Sequence, residues 1–115
     1  MYERGVEALL HGDASAAVVW LQSAVRDDPA ATKAWAALAV ALSRCGSSRA
    51  PAVMRRALRS AWRGETCRRD RQHVEVLCLS VGPQLARAGA LAREHLLEFP
   101  DDRLVGHVLL TLPAR

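Results

Sequence analysis

Turn-forming residues recur along this chain at intervals of about one helix length, and this spacing constrains the fold more than any other feature. The turns are Gly12-Asp13, Asp28-Pro29, Gly46, Gly64, Gly82-Pro83 and Pro100-Asp101. Between them, apolar residues recur at intervals of three and four, as at Ala17, Leu21 and Ala24. No segment alternates with period two for long enough to form a strand. The sequence therefore predicts an all-α protein.

Seven helices are predicted, and each begins and ends at one of these turns. They cover about residues 2–11, 14–27, 31–44, 48–62 and 66–80, then from the Gly82-Pro83 break to about 99, and about 103–110. The expected N-caps are Asp13, Ser48, Thr66 and either Asp101 or Asp102. Gly46 is expected to take a left-handed conformation after the third helix.

Composition bounds the class of protein. The 115 residues, half of them hydrophobic, suffice for one domain with a single core. The longest nearly apolar run, residues 34–42, is about half of what a bilayer crossing needs, and the N-terminus lacks the pattern of an export signal. Three cysteines without framework spacing favour a reducing compartment. We expect a single cytoplasmic domain without membrane association, and the predominance of Arg over Lys is typical of GC-rich bacterial coding.

Small and aromatic residues recur at the positions that mark a helical repeat. One set is Gly5, Leu9, Gly12-Asp13, Ala17, Leu21, Ala24 and Asp28-Pro29; the next is Trp35, Leu38, Ala39, Leu42, Gly46, Ala50 and Ala57. Both sets resemble the tetratricopeptide repeat family. The resemblance implies a right-handed superhelical stack of about three antiparallel helix pairs, at about 1–29, 30–64 and 66–100, with a terminal capping helix at about 102–111. An ordinary helical bundle is the alternative.

The third unit departs from this pattern. Gln72 stands where the repeat has Trp, and His95 stands where it has a small residue, whereas Leu79, Ala88 and Pro100-Asp101 fit. The R-x-H-V of residues 71–74 and the E-H-L-x-x-x-P-x-D of residues 94–102 resemble a second family, the proteins similar to tetratricopeptide repeat protein thirty-eight. This second resemblance implies a short relative of that family or part of a longer protein.

The tetratricopeptide resemblance implies a scaffold that binds a protein or peptide in a concave groove, without catalysis. The groove positions carried over from it are Tyr2, Val6, Leu9, Leu10, Lys33, Ala37, Val40, Arg44, His73, Val74 and Leu77. A groove that holds a chaperone C-terminus needs Lys and Asn at fixed positions, and here Lys33 alone matches. In the alternative, the seventh helix or a second copy of the chain fills the groove. Because the first unit lacks a polar cap, we expect either self-association through a terminal helix or origin as part of a longer protein.

No catalytic residues and no cofactor are predicted. The sequence has no Gly-rich phosphate loop, no paired carboxylates in an apolar setting and no Ser-His-Asp arrangement at a turn. Cys67, His73 and Cys78 are spaced by six and five, which puts them on different faces of one helix. We therefore predict no metal site and interpret the histidine as a surface residue and Cys78 as part of the core. His11, His95 and His107 are interpreted as isolated residues.

Cys67 is a candidate reactive thiol. In the predicted first turn of the fifth helix it lies beside the positive end of the helix dipole and beside Arg68 and Arg69, which favour a thiolate. An exposed, unreactive cysteine is the alternative.

The three tryptophans are expected in the interior. Trp20, Trp35 and Trp62 lie on successive predicted helices. Truncation of a buried Trp costs about 3 to 5 kcal/mol, so Trp35→Ala is expected to abolish cooperative unfolding.

Half of the basic residues lie in one segment, residues 49–71. They are Arg49, Arg55, Arg56, Arg59, Arg63, Arg68, Arg69 and Arg71, opposed there only by Glu65 and Asp70. Arg55, Arg59 and Arg63 are four apart and form one stripe on the fourth helix, opposite an apolar face. The stripe is interpreted as a solvated face, as a binding surface for acidic protein segments, or as a nucleic-acid surface. Nucleic acid is the least favoured partner, because no aromatic platform and no reading helix accompany the stripe.

Overall fold

The structure is a computed structural model that describes residues 1–64 and 66–113, and these residues form seven helices and no strand. The helices are α1 (Tyr2–Leu10), α2 (Ala14–Asp27), α3 (Thr32–Arg44), α4 (Ala50–Arg63), α5 (Arg68–Val81), α6 (Leu85–Glu98) and α7 (Arg103–Thr111). The predicted all-α class is confirmed, and the predicted helix ends differ from these by at most about two residues. Within the described ranges, no helix has the length and apolarity to cross a membrane.

Local sequence explains several helix ends as predicted. Asp13 accepts a hydrogen bond from the backbone N–H of Ala16 at 3.1 Å and caps α2. Asp102 caps α7 in the same way, through the N–H of Val105 at 3.2 Å. Gly46 has a φ of 71°, a left-handed conformation in which glycine avoids the strain of a side chain.

Two predicted caps are wrong. α4 begins at Ala50, and the hydroxyl that accepts a backbone hydrogen bond near its start is that of Ser47, not Ser48. α5 begins after Cys67, whose backbone is extended, so Thr66 is not its N-cap. In both places a neighbouring residue takes the cap position, which sequence spacing alone does not resolve.

Consecutive helices pack side by side and antiparallel, because the connections between them are only a few residues long. The odd-numbered helices also contact one another: α3 contacts α1 and α5, and α5 contacts α7. α7 contacts α1 as well, so the row of odd-numbered helices closes on itself. The resulting body has a radius of gyration of 12.6 Å.

Small side chains allow the close helix packing at the centre. Every residue of α3 from Ala36 to Leu42 is buried, and this helix contacts α1, α2, α4 and α5. Gly5 on α1 shows how tight the packing is, because a Cβ atom there would lie 2.5 Å from Cγ of Leu21 on α2. The core is therefore built from Ala, Val and Leu at positions of close backbone approach.

The expectation that the tryptophans form the interior is wrong. Trp20 and Trp35 are half-buried, and Trp62 is 63% exposed. Helices held this close by small residues leave no room for an indole between them, so the indoles lie at the rim. Each of the five aromatic rings of the chain lies under a cationic side chain, in the pairs Arg4–Trp20, Lys33–Tyr2, Arg56–Trp35, Arg69–Phe99 and Arg71–Trp62.

Candidate functional site

The predicted groove positions follow the row of odd-numbered helices, but most of them are covered. Leu9, Ala37, Val40, His73, Val74 and Leu77 are buried. Tyr2, Val6, Leu10 and Lys33 are half-buried, and Arg44 is exposed. The buried positions offer no surface to a partner. α7 contacts α1 and α5 on this side, which favours the alternative in which the seventh helix covers the groove.

α7 is held over the inner side of the helix row by apolar and polar contacts. Its buried side chains are Leu104, Val105 and Val108. Arg103 forms an ion pair with Glu7 of α1 at 2.8 Å. Arg44 of α3 donates to Thr111 and to Nε2 of His107, both at 2.8 Å. Burial and the nearby Arg44 lower the pKa of His107, which favours the neutral ring that accepts this hydrogen bond.

Two adjoining cavities are open where the N-terminal ends of the odd-numbered helices meet. The larger, of about 710 Å³, lies between the starts of α1, α3 and α5. The smaller, of about 260 Å³, is lined among others by Tyr2, Lys33, Asp70, His73 and Asp102. Lys33 and Asp70 are 3.7 Å apart across it. Burial, with the nearby carboxylates of Asp102 and Asp70, raises the pKa of Tyr2 and keeps its phenol protonated. This cavity is mixed in charge, unlike the apolar groove that the resemblance implied.

A buried polar cluster lies below this cavity, between α5, α6 and α7. Oδ2 of Asp102 is 2.8 Å from Nδ1 of His73 and 2.8 Å from Nε2 of His95. Nδ1 of His95 is 2.9 Å from Oε1 of Gln72. His73 is 6% exposed, His95 is 0% exposed and Asp102 is 8% exposed. The interpretation of His73 as a surface residue and of His95 as isolated is therefore wrong.

The hydrogen-bond partners in this cluster indicate which of the ring nitrogens carry a hydrogen. An ionised carboxylate only accepts, so both ring nitrogens that face Asp102 carry a hydrogen. Burial works against ionisation of Asp102, but the hydrogen bonds and charge of His73, with the hydrogen bonds from His95 and the Val105 N–H, outweigh it and hold the pKa of this carboxyl below its usual range. The second nitrogen of His95 faces the side-chain amide of Gln72.

One polar atom of the cluster is incomplete. Nε2 of His73 is buried and has no hydrogen-bond partner among the described residues. Most buried polar atoms in folded proteins have a hydrogen-bond partner, protein or water. Within the described residues, His73, His95 and Asp102 are also the one group of three potential metal ligands, with ligand atoms within 4.8 Å of one another.

The cysteines do not join this cluster. Cys78 is buried, and burial together with Glu75 raises the pKa of its thiol to about 12. Cys67 and Cys45 are exposed. Cys67 is the N-cap residue of α5 and not part of its first turn, but it still lies at the positive end of the helix dipole beside Arg68 and Arg69, so its reactivity stays a prediction.

The predicted basic stripe divides into two surfaces with different surroundings. On α5, Arg68 pairs with Glu98 at 2.9 Å and Arg69 pairs with Asp101 at 3.0 Å. On α4, no described acidic residue lies within ion-pair distance of the exposed arginines, which are Arg55, Arg56, Arg59 and Arg63. We call these four residues the α4 arginine surface. Glu65, predicted to oppose the stripe, lies outside the described residues.

Two cavities flank the outer side of α4. One, of about 490 Å³, is lined by three members of the α4 arginine surface, Arg56, Arg59 and Arg63, together with polar and small residues. The other, of about 300 Å³, is lined mainly by apolar side chains, among them Met54, Leu58, Trp62, Leu79 and Pro83. Met54, Leu58 and Trp62 are four apart on α4, so this apolar shelf runs along the helix beside Arg55, Arg59 and Arg63.

The cluster of His73, His95 and Asp102 was missed by reasoning from spacing along the chain. Its residues come from α5, from α6 and from the cap of α7, so no local motif joins them. A signal was present in the two departures from the repeat pattern, Gln72 and His95, because these two side chains are hydrogen-bonded to each other. Paired departures from a repeat are therefore a better guide to this site than ligand spacing.

Comparison of the chain with protein-family models, with curated proteins and with solved structures gave no match.

Proposed function

We propose that this protein is a helical interaction module, similar to tetratricopeptide repeat scaffolds, that binds an acidic segment of a partner protein on the outer side of α4. The observation that carries the proposal is the α4 arginine surface, whose four guanidinium groups have no described acidic partner, while Arg68 and Arg69 of α5 are paired. Guanidinium groups bind carboxylates in bidentate fashion, which suits a partner rich in Asp and Glu.

The apolar shelf beside these arginines supports a protein partner. Trp62 is 63% exposed and lines a cavity together with Met54 and Leu58. An acidic segment with one large apolar side chain would place that side chain in the cavity and its carboxylates on Arg55, Arg59 and Arg63. Aromatic anchors beside arginines are typical of the energetic centres of protein interfaces.

Binding in the inner groove, the function that the repeat resemblance implies first, has less support. α7 contacts α1 and α5 on that side, and Leu9, Ala37 and Leu77 are buried, so these predicted groove positions offer no exposed apolar side chain to a peptide. Nucleic acid remains the competing partner for the α4 arginine surface, since phosphates also bind arginine.

The test is a binding titration with a labelled peptide rich in Asp and Glu that carries one central Phe. Its comparators are the same peptide with Ala in place of Phe, and duplex DNA, each at low and moderate salt. We expect the Phe peptide to bind more tightly than the Ala peptide, because the apolar shelf adds to the ionic contacts. Moderate salt should weaken peptide binding without abolishing it, because apolar contacts are not screened.

Two triple variants with the same change in charge locate the site. Changing Arg55, Arg59 and Arg63 to Gln should weaken peptide binding by at least about tenfold, which corresponds to about 0.5 kcal/mol for each exposed ion pair. Changing Arg68, Arg69 and Arg103 to Gln should leave it nearly unchanged, because these arginines are already paired. Equal losses in the two variants would contradict the proposal, and tighter binding of DNA than of either peptide would favour nucleic acid.

A further inference from the structure

The buried cluster has the donor set of a transition-metal site. Two imidazole nitrogens and one carboxylate oxygen converge, with Oδ2 of Asp102 at 2.8 Å from Nδ1 of His73 and from Nε2 of His95. Around a tetrahedral zinc ion with bonds of about 2.0–2.2 Å, neighbouring ligand atoms lie about 3.3–3.5 Å apart. To hold an ion in place of the shared hydrogens, each Asp102–imidazole distance must lengthen by about half an ångström, and the two ring nitrogens, which lie within 4.8 Å of each other, must approach to that same separation.

The surroundings of His95 match those of a metal-binding histidine. Such a histidine binds the ion through one ring nitrogen and donates the other N–H to an oxygen, which fixes the orientation of the ring. Here Nε2 of His95 faces Asp102, and Nδ1 is 2.9 Å from Oε1 of Gln72. With an ion on Nε2, His95 is a neutral ring that donates to Gln72 as placed.

The adjacent cavity provides the second observation. His73 would bind the ion through Nδ1, which faces Asp102, and its other ring nitrogen, Nε2, is buried without a described partner that would orient the ring as Gln72 orients that of His95. The cavity of about 260 Å³ is lined by His73 and Asp102 and gives access to them. A water molecule from this cavity would supply the fourth ligand of a site with three protein ligands.

We propose that His73, His95 and Asp102 bind one divalent transition-metal ion, represented by Zn²⁺, with Gln72 as the residue that positions His95. Imidazole nitrogens with a carboxylate oxygen suit zinc and its neighbours better than Mg²⁺ or Ca²⁺, which prefer oxygen ligands alone. The site joins α5, α6 and the start of α7 and is separate from the α4 arginine surface. It does not depend on the proposed binding of an acidic segment.

The test is calorimetric titration of the chelator-treated protein with Zn²⁺, followed by visible absorption with Co²⁺. Cys45→Ser and Cys67→Ser form the background of every sample, because exposed thiols bind both metals. We expect one ion per chain and a Co²⁺ spectrum of nitrogen and oxygen ligands without a sulfur charge-transfer band. His95→Gln and Asp102→Asn should each weaken binding more than about 100-fold, and Gln72→Ala should weaken it by about 10- to 100-fold.

Controls separate this site from surface histidines and from unfolding. His11→Gln and His107→Gln should bind Zn²⁺ as the parent does. In the parent itself, Zn²⁺ should shift the ring-nitrogen NMR signals of His73 and His95 and leave those of His11 unchanged, which tests the site even if a variant does not fold. The proposal is overturned if the parent binds no ion at millimolar Zn²⁺, if His95→Gln and Asp102→Asn bind as well as the parent, or if the shifts appear at the surface histidines instead.

Discussion

The first two helix pairs, α1 to α4, and the third pair with α7 bury different kinds of side chain between their helices. α1 to α4 bury Ala, Leu and Gly at close helix contacts and keep their charges outside. α5 to α7 bury two histidines and an aspartate between them. The outer surfaces differ as well, because arginines on α5 pair with acidic residues, whereas those on α4 have no described acidic partner.

The comparison shows that the number of charged residues in a segment does not predict whether they form ion pairs within the protein. α4 and α5 are both rich in arginine, and the partners around them decide whether a guanidinium is part of the fold or is available for binding. In the third pair, acidic residues of α6 and the α6–α7 connection form ion pairs with Arg68 and Arg69, two of the three arginines of α5. In the second pair no described residue does so, which leaves α4 as the proposed binding surface.

The largest loss of stability is expected when the aspartate that caps a helix is replaced, and the loss should differ between the two regions. Asp13 and Asp102 each cap a helix through the backbone N–H three residues ahead. Asp13→Ala should cost about 1 kcal/mol, as loss of an exposed cap does. Asp102→Ala also leaves His73 and His95 buried without their shared acceptor and should cost about 3 to 5 kcal/mol. Chemical denaturation of both variants measures the difference, and equal losses would break the comparison.

A second pair of substitutions tests where the stability of the regular region lies. Leu38 is 1% exposed and Trp35 on the same helix is half-buried under Arg56. Leu38→Ala should cost about 2 to 5 kcal/mol. Trp35→Ala should cost about 1 to 3 kcal/mol and leave unfolding cooperative, because the indole lies at the rim. Thermal unfolding in which the Trp35 variant loses its transition while the Leu38 variant keeps it would contradict this order.

Replacing a glycine by alanine should have opposite effects on the stability of the protein in the two regions. A Cβ atom at Gly5 would lie 2.5 Å from Leu21, so Gly5→Ala should destabilise the protein by about 1 to 3 kcal/mol. A Cβ atom at Gly106 in α7 meets no atom within 4 Å, so Gly106→Ala should stabilise it by about 0.5 to 1 kcal/mol. Unfolding midpoints that move in the same direction for both would argue against the close packing of α1 on α2.

The smallest of these effects concerns acid stability. Because the pKa of Asp102 is lower in the folded protein than in the unfolded chain, its contribution is present above the unfolded value of about 3.9 and is lost as the pH falls toward the folded value. In the presence of a chelator, the difference in stability between the parent and Asp102→Asn should therefore shrink as the pH falls below about 4. A difference that stays constant down to pH 2 would show that the charge of Asp102 contributes nothing.

Much of the fold could be predicted because it is local. The spacing of apolar residues predicts where the helices lie, and Gly12-Asp13 and Gly46 predict where they begin and end. Both signals involve residues that are close together in the sequence. The burial of α3 follows from its run of Ala and Leu. The exposure of the tryptophans could not be predicted, because it depends on how closely neighbouring helices approach. That distance is set by contacts between different segments, such as the contact of Gly5 in α1 with Leu21 in α2.

The sites were harder to predict because their partners are distant in sequence. His73 meets Asp102 only after α5, α6 and α7 have packed, and no spacing rule connects them. Likewise, the sequence shows that Arg59 and Arg68 are both basic but not that Glu98 lies beside only the second. The position of α7 on the inner side depends on how all the helices pack together, so no single segment of the sequence predicts it.

The most direct test of the central claim is an NMR map of the backbone amides on addition of the acidic Phe peptide. The account predicts that the largest shifts follow α4, from Met54 to Arg63, and extend to Leu79 beside the apolar shelf. The amides of Val6, Lys33 and Ala37 on the inner helices should remain unchanged. Shifts centred on those inner residues and on α7, with α4 unaffected, would contradict the account and return the binding site to the groove that α7 covers.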